Sequence, residues 1–482
     1  MRQVWLRSAA VVAAGLMGSI GWAQTSWTYS ETDKTVTDGK WVIAVTAYDS
    51  AAGTMTLGAI TTAAEDGVLD LRDMVVGDVA ITGLSLPTSI TSKKGVWASA
   101  AITKFYVNHV AGTSVPGAMQ GNTTVQEIEF ASDTITALYS STSFFKYCTA
   151  LKRCILDCPN LVTWDYSGGS GSPFSSSPVT NKFHEIVNPW VKTLNGNGLF
   201  SGLGGTTGPV VLTNLVTCSA SPFYGGGSIN WKFTDMWIKW PHEYGISLET
   251  SFGAVTNLVL EMPNVRSTGC IRGFSAIQQD VSSVVPPYIQ KVADYAALRS
   301  MNTLYGCLTL TNWVSMTGAA GNSWIGYAFE CTGVKAAEFR GPITNIPYQV
   351  MTSVLTNLVL QLPNVTNVCA RAFLMANNGE LTIYGKPWAE NLRTNMLARI
   401  AAPLSAKATA VAPKNLILKV SKKQGWKEYA GKYDDTDFPK ASAPEGCFGV
   451  WREPYGTGTR GAWMVHFPQP DDPQAGMCIV IR

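Results

Sequence analysis

The sequence predicts a mainly β fold, a solenoid of short parallel strands with a small β module capping each end. Two segments carry that expectation. Residues 255–265 read VTNLVLEMPNV and residues 355–365 read LTNLVLQLPNV, so they lie 100 positions apart and agree at eight of eleven. Shorter forms recur at 212–216 (LTNLV) and 310–314 (LTNWV). Composition agrees: charged residues make up 14 % of the 482, below the roughly 25 % usual in soluble domains, while Gly, Ser, Thr and Asn are plentiful. Repetition on this scale marks a chain built from one supersecondary unit used many times.

A looser unit extends the array: apolar, two variable residues, apolar, one variable, apolar. It reads ITKFYV at 102–107, VQEIEF at 125–130, LKRCIL at 151–156, FTDMWI at 233–238 and VKAAEF at 334–339. Neighbouring starts are 23, 26, 22 and 21 residues apart (102 to 125, 125 to 151, 233 to 255, 334 to 355). Leucine-rich repeats have periods of ~20–29 residues. Side chains alternate along a strand, so the last two apolar positions face one side and the residues between face the other. One such strand cannot bury its inner face alone, and successive units must stack to share a core.

Residues 24–84 are expected to form an N-terminal β cap, because an open end of the stack would leave apolar surface in water. The irregular leucine-rich-repeat-type solenoid is assigned to 85–412, interrupted by the Ser/Gly stretch 167–177 and by a helix-like segment at 286–301. Residues 413–482 contribute a last strand at 415–420 (NLILKV) and a small β module. Its strand candidates are 462–467 (AWMVHF) and 477–481 (MCIVI).

Residues 1–23 read as a secretory signal peptide. Arg2 and Arg7 precede a short apolar core at 9–20, and Gly21-Trp22-Ala23 offers small residues at a cleavage site before Gln24. No later segment reaches the ~20 apolar residues that span a bilayer, so the mature chain is expected to be secreted or surface-exposed with no membrane span. A net charge of +3 with no long Lys/Arg run excludes an electrostatic footprint for nucleic acid. The ten cysteines do not follow a small disulfide framework: Cys148, Cys154 and Cys158 cluster, Cys447 and Cys478 lie near the end, and Cys218, Cys270, Cys307, Cys331 and Cys369 are scattered. Most read as small buried hydrophobes. The four histidines, His109, His184, His242 and His466, are too far apart for a zinc set. No cofactor is implied.

Further fragments recur with aromatics before them. Cys148-Thr149-Ala150-Leu151-Lys152 matches Cys331-Thr332-Gly333-Val334-Lys335, and residues 185–190 (EIVNPW) match 382–388 (TIYGKPW). Aromatic, Cys, Leu, Ile and Pro at these intervals resemble the BspA-like bacterial surface leucine-rich-repeat family, in which an AF-x-x-C turn precedes an L-x-x-I-x-I-P strand. Ala328-Phe329-Glu330-Cys331, after Gly326-Tyr327, is the nearest local match, one residue shorter than the family spacing. The resemblance implies a surface protein that adheres to a protein or glycan and catalyses nothing.

Catalytic motifs are sparse. There is no GxSxG elbow, HExxH helix or Walker loop, and the Gly-rich stretches 196–208 and 225–227 lack the following Lys-Ser/Thr pair. Asp235, His242 and Glu243 come nearest to a carboxylate–imidazole set for glycan cleavage; a polar loop leaving a strand is the plainer reading. Aromatics are the stronger lead. Trp237 is expected to point outward between inward Met236 and Ile238, which makes Trp237, Asp235 and Lys239 the ligand-binding candidates. Trp190 and Trp388 follow prolines at strand exits, and Asn122 and Asn364 open N-x-Ser/Thr triplets. Two other readings compete with binding: a secreted carbohydrate-active enzyme on a parallel β-helix, and a structural envelope or matrix component.

Overall fold

A computed structural model of the protein describes residues 26–139, 144–167, 172–219, 222–224, 235–246, 248–249, 255–274, 276–292, 297–316, 328–347, 350–351, 353–369, 372–388, 401–402, 415–455 and 458–469. The signal peptide, the glycines at 225–227, Tyr327, Cys478 and the strand candidate 477–481 lie outside the described residues. The fold is mainly β, with several parallel sheets. Helical structure among the described residues is limited to 3-10 turns of three or four residues.

The strands pair where the apolar pattern places them. Val68–Leu71, Lys104–Val107, Glu127–Ala131 and Arg153–Asp157 run parallel, with Lys104 opposite Glu127 and Glu127 opposite Arg153. Those offsets of 23 and 26 residues equal the sequence spacing. Val210–Leu212, Asp235–Lys239 and Asn257–Glu261 form a second parallel group. Cys307–Leu310, Ala336–Arg340, Val354–Gln361, Phe373–Ile383 and Leu416–Val420 form a third. Inward residues line up in rows. One row of the first group is Leu69, Phe105, Ile128 and Cys154, and one row of the third is Leu308, Ala337, Leu358, Leu381 and Leu418, all buried. Each row removes apolar surface from water at roughly 25 cal/mol per Å², which holds these short strands together.

The groups are joined by two unusual turns. At Asn181 and Gln279 a side-chain amide takes the place of a strand's peptide group. Asn181 accepts from the Cys154 N–H at 3.1 Å and donates to its carbonyl at 2.9 Å. Gln279 accepts from the Leu258 N–H at 3.0 Å and donates to its carbonyl at 2.7 Å. Each amide then braces the 3-10 turn that follows, Asn181 on Glu185 at 2.6 Å and Gln279 on Ser283 at 2.5 Å. Beyond each turn the pairing resumes, Phe183 N–H to the Thr207 carbonyl and Val281 N–H to that of Tyr305, both at 2.9 Å. The two turns are 98 residues apart and read NKFHEIVNPWV (181–191) and QDVSSVVPPYI (279–289).

A second parallel ladder follows one turn later in the chain. It joins Ala137–Tyr139, Thr163–Asp165, Thr193–Asn195 and Thr217–Ser219; further along the chain, parallel bridges run from Tyr244 to Ser267 to Lys291, and Lys291–Val292 pairs with Ser315–Met316. Leu248–Glu249, Ile271–Arg272 and Leu298–Arg299 make a third parallel set. A spine of rings runs through the core: Trp97, Phe105, Phe144, Phe145, Phe174, Trp164, Phe200 and Phe223, with successive centroids 4.8–6.2 Å apart.

At the N-terminus Ser26–Ser30, Thr35–Thr37, Val42–Asp49 and Thr54–Thr62 form an antiparallel meander. Trp41 ties it to the first ladder by donating to the Val68 carbonyl at 2.7 Å. Val68–Leu71, inside the 24–84 segment, is itself the first strand of that ladder. At the other end Gly458–His466 pairs in parallel with Leu416–Val420 and folds back on Cys447–Tyr455 as a hairpin.

Three expectations need correction, and one of the two N-x-Ser/Thr triplets is ruled out as a glycan site. The described residues of 286–301 are not helical: Pro286 and Pro287 lack the N–H a helix needs, and the segment supplies Lys291–Val292 and Leu298–Arg299 instead. The echoes at 212 and 310 are out of phase with the longer repeats. Leu212 and Leu310 stand in register with Leu260 and Leu360, through Ile238 and Phe339, and end their own strands, so Leu215 and Trp313 occupy the turn. The counterpart of 185–190 is 283–288, not 382–388. A shared Pro-Trp drew the wrong pairing, because 382–388 leaves a strand whereas 185–190 leaves a 3-10 turn. Asn122 cannot carry a glycan, being fully buried with its amide donated to the Trp97 and Ala100 carbonyls at 2.9 Å; Asn364 is exposed.

No disulfide joins any two of the nine cysteines among the described residues. Cys148, Cys154, Cys158 and Cys331 are buried and the other five are half-buried, so fewer than the expected majority are core residues. Burial pushes Cys148, Cys158, Cys218 and Cys331 up to about 12.

Candidate ligand-binding surface

The strand Asp235–Lys239 alternates as its sequence demands, with Met236 and Ile238 buried, Trp237 half-exposed, and Asp235 and Lys239 exposed. Parallel pairing sets Trp237 between Val211 and Val259, and Lys239 beside Glu261. Glu261 gathers two of the candidates. It accepts the Trp237 indole N–H at 3.0 Å and lies 3.5 Å from the Lys239 ammonium, which sits 5.6 Å from the Trp237 ring centroid. Asp235 is not part of that set. It stands at the strand's other end, accepting from Asn257 at 3.3 Å.

The same separation dissolves the carboxylate–imidazole set. Asp235 opens the strand and His242 lies past its end, with about 16 Å of extended chain between Asp235 and Trp240. The His242 Nε2 instead meets the Val216 carbonyl. Among the described residues no group of three or more His, Cys, Asp or Glu is placed to hold a metal ion.

A feature absent from the sequence reading appears where the chain leaves the first ladder. At four of these exits a proline is followed by a polar or aromatic residue that reaches back to a carbonyl of the preceding unit, His242 on Val216 being one. Asn160 donates to Asp133 at 2.7 Å, Asn264 to Pro241 at 2.9 Å, and the Tyr288 hydroxyl to Met262 at 2.8 Å. Each stitch satisfies a turn carbonyl that lies outside the strand pairing. The recurrent signal was Cys158-Pro159-Asn160, Pro241-His242, Pro263-Asn264 and Pro287-Tyr288, visible once these are aligned on the proline.

The stitched turns bring aromatic and polar side chains together. Pro241, His242, Glu243, Tyr244, Asn264 and Arg266 line an open cleft of about 460 Å³. Tyr244 is 60 % exposed and lies flat against His242, with centroids 5.2 Å apart and planes 9° apart. Trp240 is buried behind both, its indole N–H donated to the Tyr244 carbonyl at 2.7 Å. The Arg266 guanidinium lies 5.5 Å from the Tyr288 ring centroid and donates to the Val265 carbonyl at 3.0 Å. Trp190, one of the two tryptophans flagged after a proline, is 54 % exposed, whereas Trp388 is buried. A related opening of about 400 Å³ lies at the equivalent exits around Arg340, Pro342, Gln361 and Tyr384.

No protein-family model matches the chain, and no curated protein and no solved structure matches it. Among the described residues no helix is long and apolar enough to cross a membrane.

Proposed function

We propose that the protein is a secreted or surface-exposed binding protein built on a leucine-rich-repeat-type solenoid, adhering to a protein or glycan without catalysis. The antiparallel meander within 26–62 and the hairpin of Cys447–Tyr455 with Gly458–His466 act as its caps, and the organisation is of the BspA-like kind. The observation that carries the reading is the ladder of parallel strands offset by 21–26 residues. Stacked this way, the outward residues form a long, rigid, shallow surface with large contact area. Trp237, Asp235 and Lys239 contribute outward positions to it, and the cleft beside Tyr244 adds a concave feature.

The test is a glycan and protein binding array with residues 24–482. Binding lost in Trp237→Ala or Tyr244→Ala supports the reading. Polysaccharide turnover on the same panel, abolished by His242→Ala or Asp235→Asn, would favour the enzyme alternative. Concentration-dependent assembly of the purified chain, without binding on the array, would favour a structural role.

A further inference from the structure

We propose that the cleft between the Pro241–Tyr244 and Asn264–Arg266 turns takes an uncharged hexose unit of a glycan, a commitment that rests on the binding reading above. Its volume, about 460 Å³, lies within the roughly 300–1,000 Å³ of small-ligand sites. The Tyr244 ring supplies the platform. Stacking on His242 and backing by buried Trp240 fix its plane, while 60 % of the residue stays exposed. A rigid exposed ring loses little entropy on contact and offers a flat apolar face to the C–H face of a pyranose.

The polar groups suit hydroxyls. Arg266 keeps most of its five N–H donors after its single bond to Val265, and its position beside Tyr288 restrains the fork. The Glu243 carboxylate supplies acceptors, and Asn264, its amide nitrogen held by the Pro241 carbonyl, presents its oxygen. A vicinal diol both donates and accepts, which matches this mixture. The formal charges of Glu243 and Arg266 cancel, so an acidic sugar would meet an opposing carboxylate. An extended peptide finds no sheet edge here. The N–H groups of Arg266 and Ser267 bond the Glu243 carbonyl at 2.5 and 3.1 Å, and the Arg266 carbonyl accepts from Lys291 at 2.9 Å. Strand addition needs such groups unpaired.

Isothermal titration calorimetry of the purified protein against maltohexaose, cellohexaose and mannohexaose tests the proposal, with hexagalacturonate as the acidic counterpart. At least one neutral hexaose should bind, hexagalacturonate more weakly. Tyr244→Ala should weaken the neutral ligand at least about tenfold, as loss of a stacking anchor does. Tyr244→Phe should keep the affinity, and an unchanged thermal unfolding profile in Tyr244→Ala guards against misfolding. Arg266→Ala provides a second variant. Silence from all three neutral hexaoses at millimolar concentration, tighter binding of hexagalacturonate, or unaltered affinity in both Tyr244→Ala and Arg266→Ala overturns it. Binding on the array that survives Tyr244→Ala and Arg266→Ala would sink this site and leave the broader binding reading in place.

Discussion

The outward faces of the first and second strand groups share a backbone and differ in what they carry. On Val68–Leu71, Lys104–Val107, Glu127–Ala131 and Arg153–Asp157 the charges answer one another. Arg72 pairs with Asp70 at 2.6 Å and with Glu129 at 3.1 Å, Arg153 meets Glu129 at 2.8 Å and also bonds Glu127, and Lys104 approaches Glu127 at 3.9 Å. Tyr106 lies under the Arg72 guanidinium at 4.3 Å. On Val210–Leu212, Asp235–Lys239 and Asn257–Glu261 the central row is Val211, Trp237 and Val259, with Val259 41 % exposed. Strand geometry decides which way a side chain points, and neighbours decide whether it is spent. The first face is occupied by itself. The second keeps apolar surface exposed.

The inward rows should not distinguish the two groups. Phe105→Ala in the first and Leu258→Ala in the second remove fully buried side chains, and each is expected to cost about 2–5 kcal/mol in denaturant unfolding. If one substitution were nearly neutral, the two groups would not share one kind of core. The amide substitutions at the junctions come next. Asn181→Ala leaves the Cys154 N–H and carbonyl without the partner they have now, and Gln279→Ala does the same to Leu258. Each should cost about 1–3 kcal/mol, the range for abandoned polar groups. Hydrogen exchange at the Cys154 and Leu258 amides should accelerate in the matching variant alone.

The strands and their inward residues were legible because a short apolar period in sequence maps directly onto alternation in space. Residues 102–107 and 125–130 gave both the strand and its register with the next. The junctions were not legible. Asn181 and Gln279 act through one amide each, and the chemistry of a strand carried by a side chain leaves no apolar period to read. The outward placement of Trp237 followed from its neighbours, but its link to Glu261 spans 24 residues and depends on register. The Tyr244 cleft escaped notice because its residues come from two successive exits, and only pairing in space joins Glu243 to Arg266.

The charged face should respond to its surroundings where the other does not. Glu129 joins Arg72 to Arg153, so Glu129→Gln is expected to lower stability by about 1 kcal/mol, less at high salt. Tyr106 adds a pH signature. Burial first, then the carboxylates of Glu127 and Glu129, pushes its hydroxyl up to about 12 from the usual 10.0. A folded value above the unfolded one means that the unfolded chain releases its proton first. Stability from this group is therefore complete below pH 10 and lost as pH rises from 10 towards 12. The buried thiols act in the same direction from about pH 9, so the Tyr106 share is the difference between wild type and Tyr106→Phe in urea unfolding across that range.

The smallest effect on stability is expected where the effect on binding is largest. Val259 is exposed, faces outward beside Trp237, and touches no charge lattice. Val259→Lys should change stability by no more than about 0.5 kcal/mol, as surface substitutions away from special features do. It also sets a cation into the apolar row that Val211 and Trp237 share. A partner docking on that row must then desolvate an ammonium with no carboxylate assigned to it, because Glu261 already serves Lys239. Array ligands that use this face should lose affinity, whereas a hexose bound at Tyr244 should not. A large loss of stability in Val259→Lys would mean that the second face is spent like the first, and the contrast between the two groups would fail.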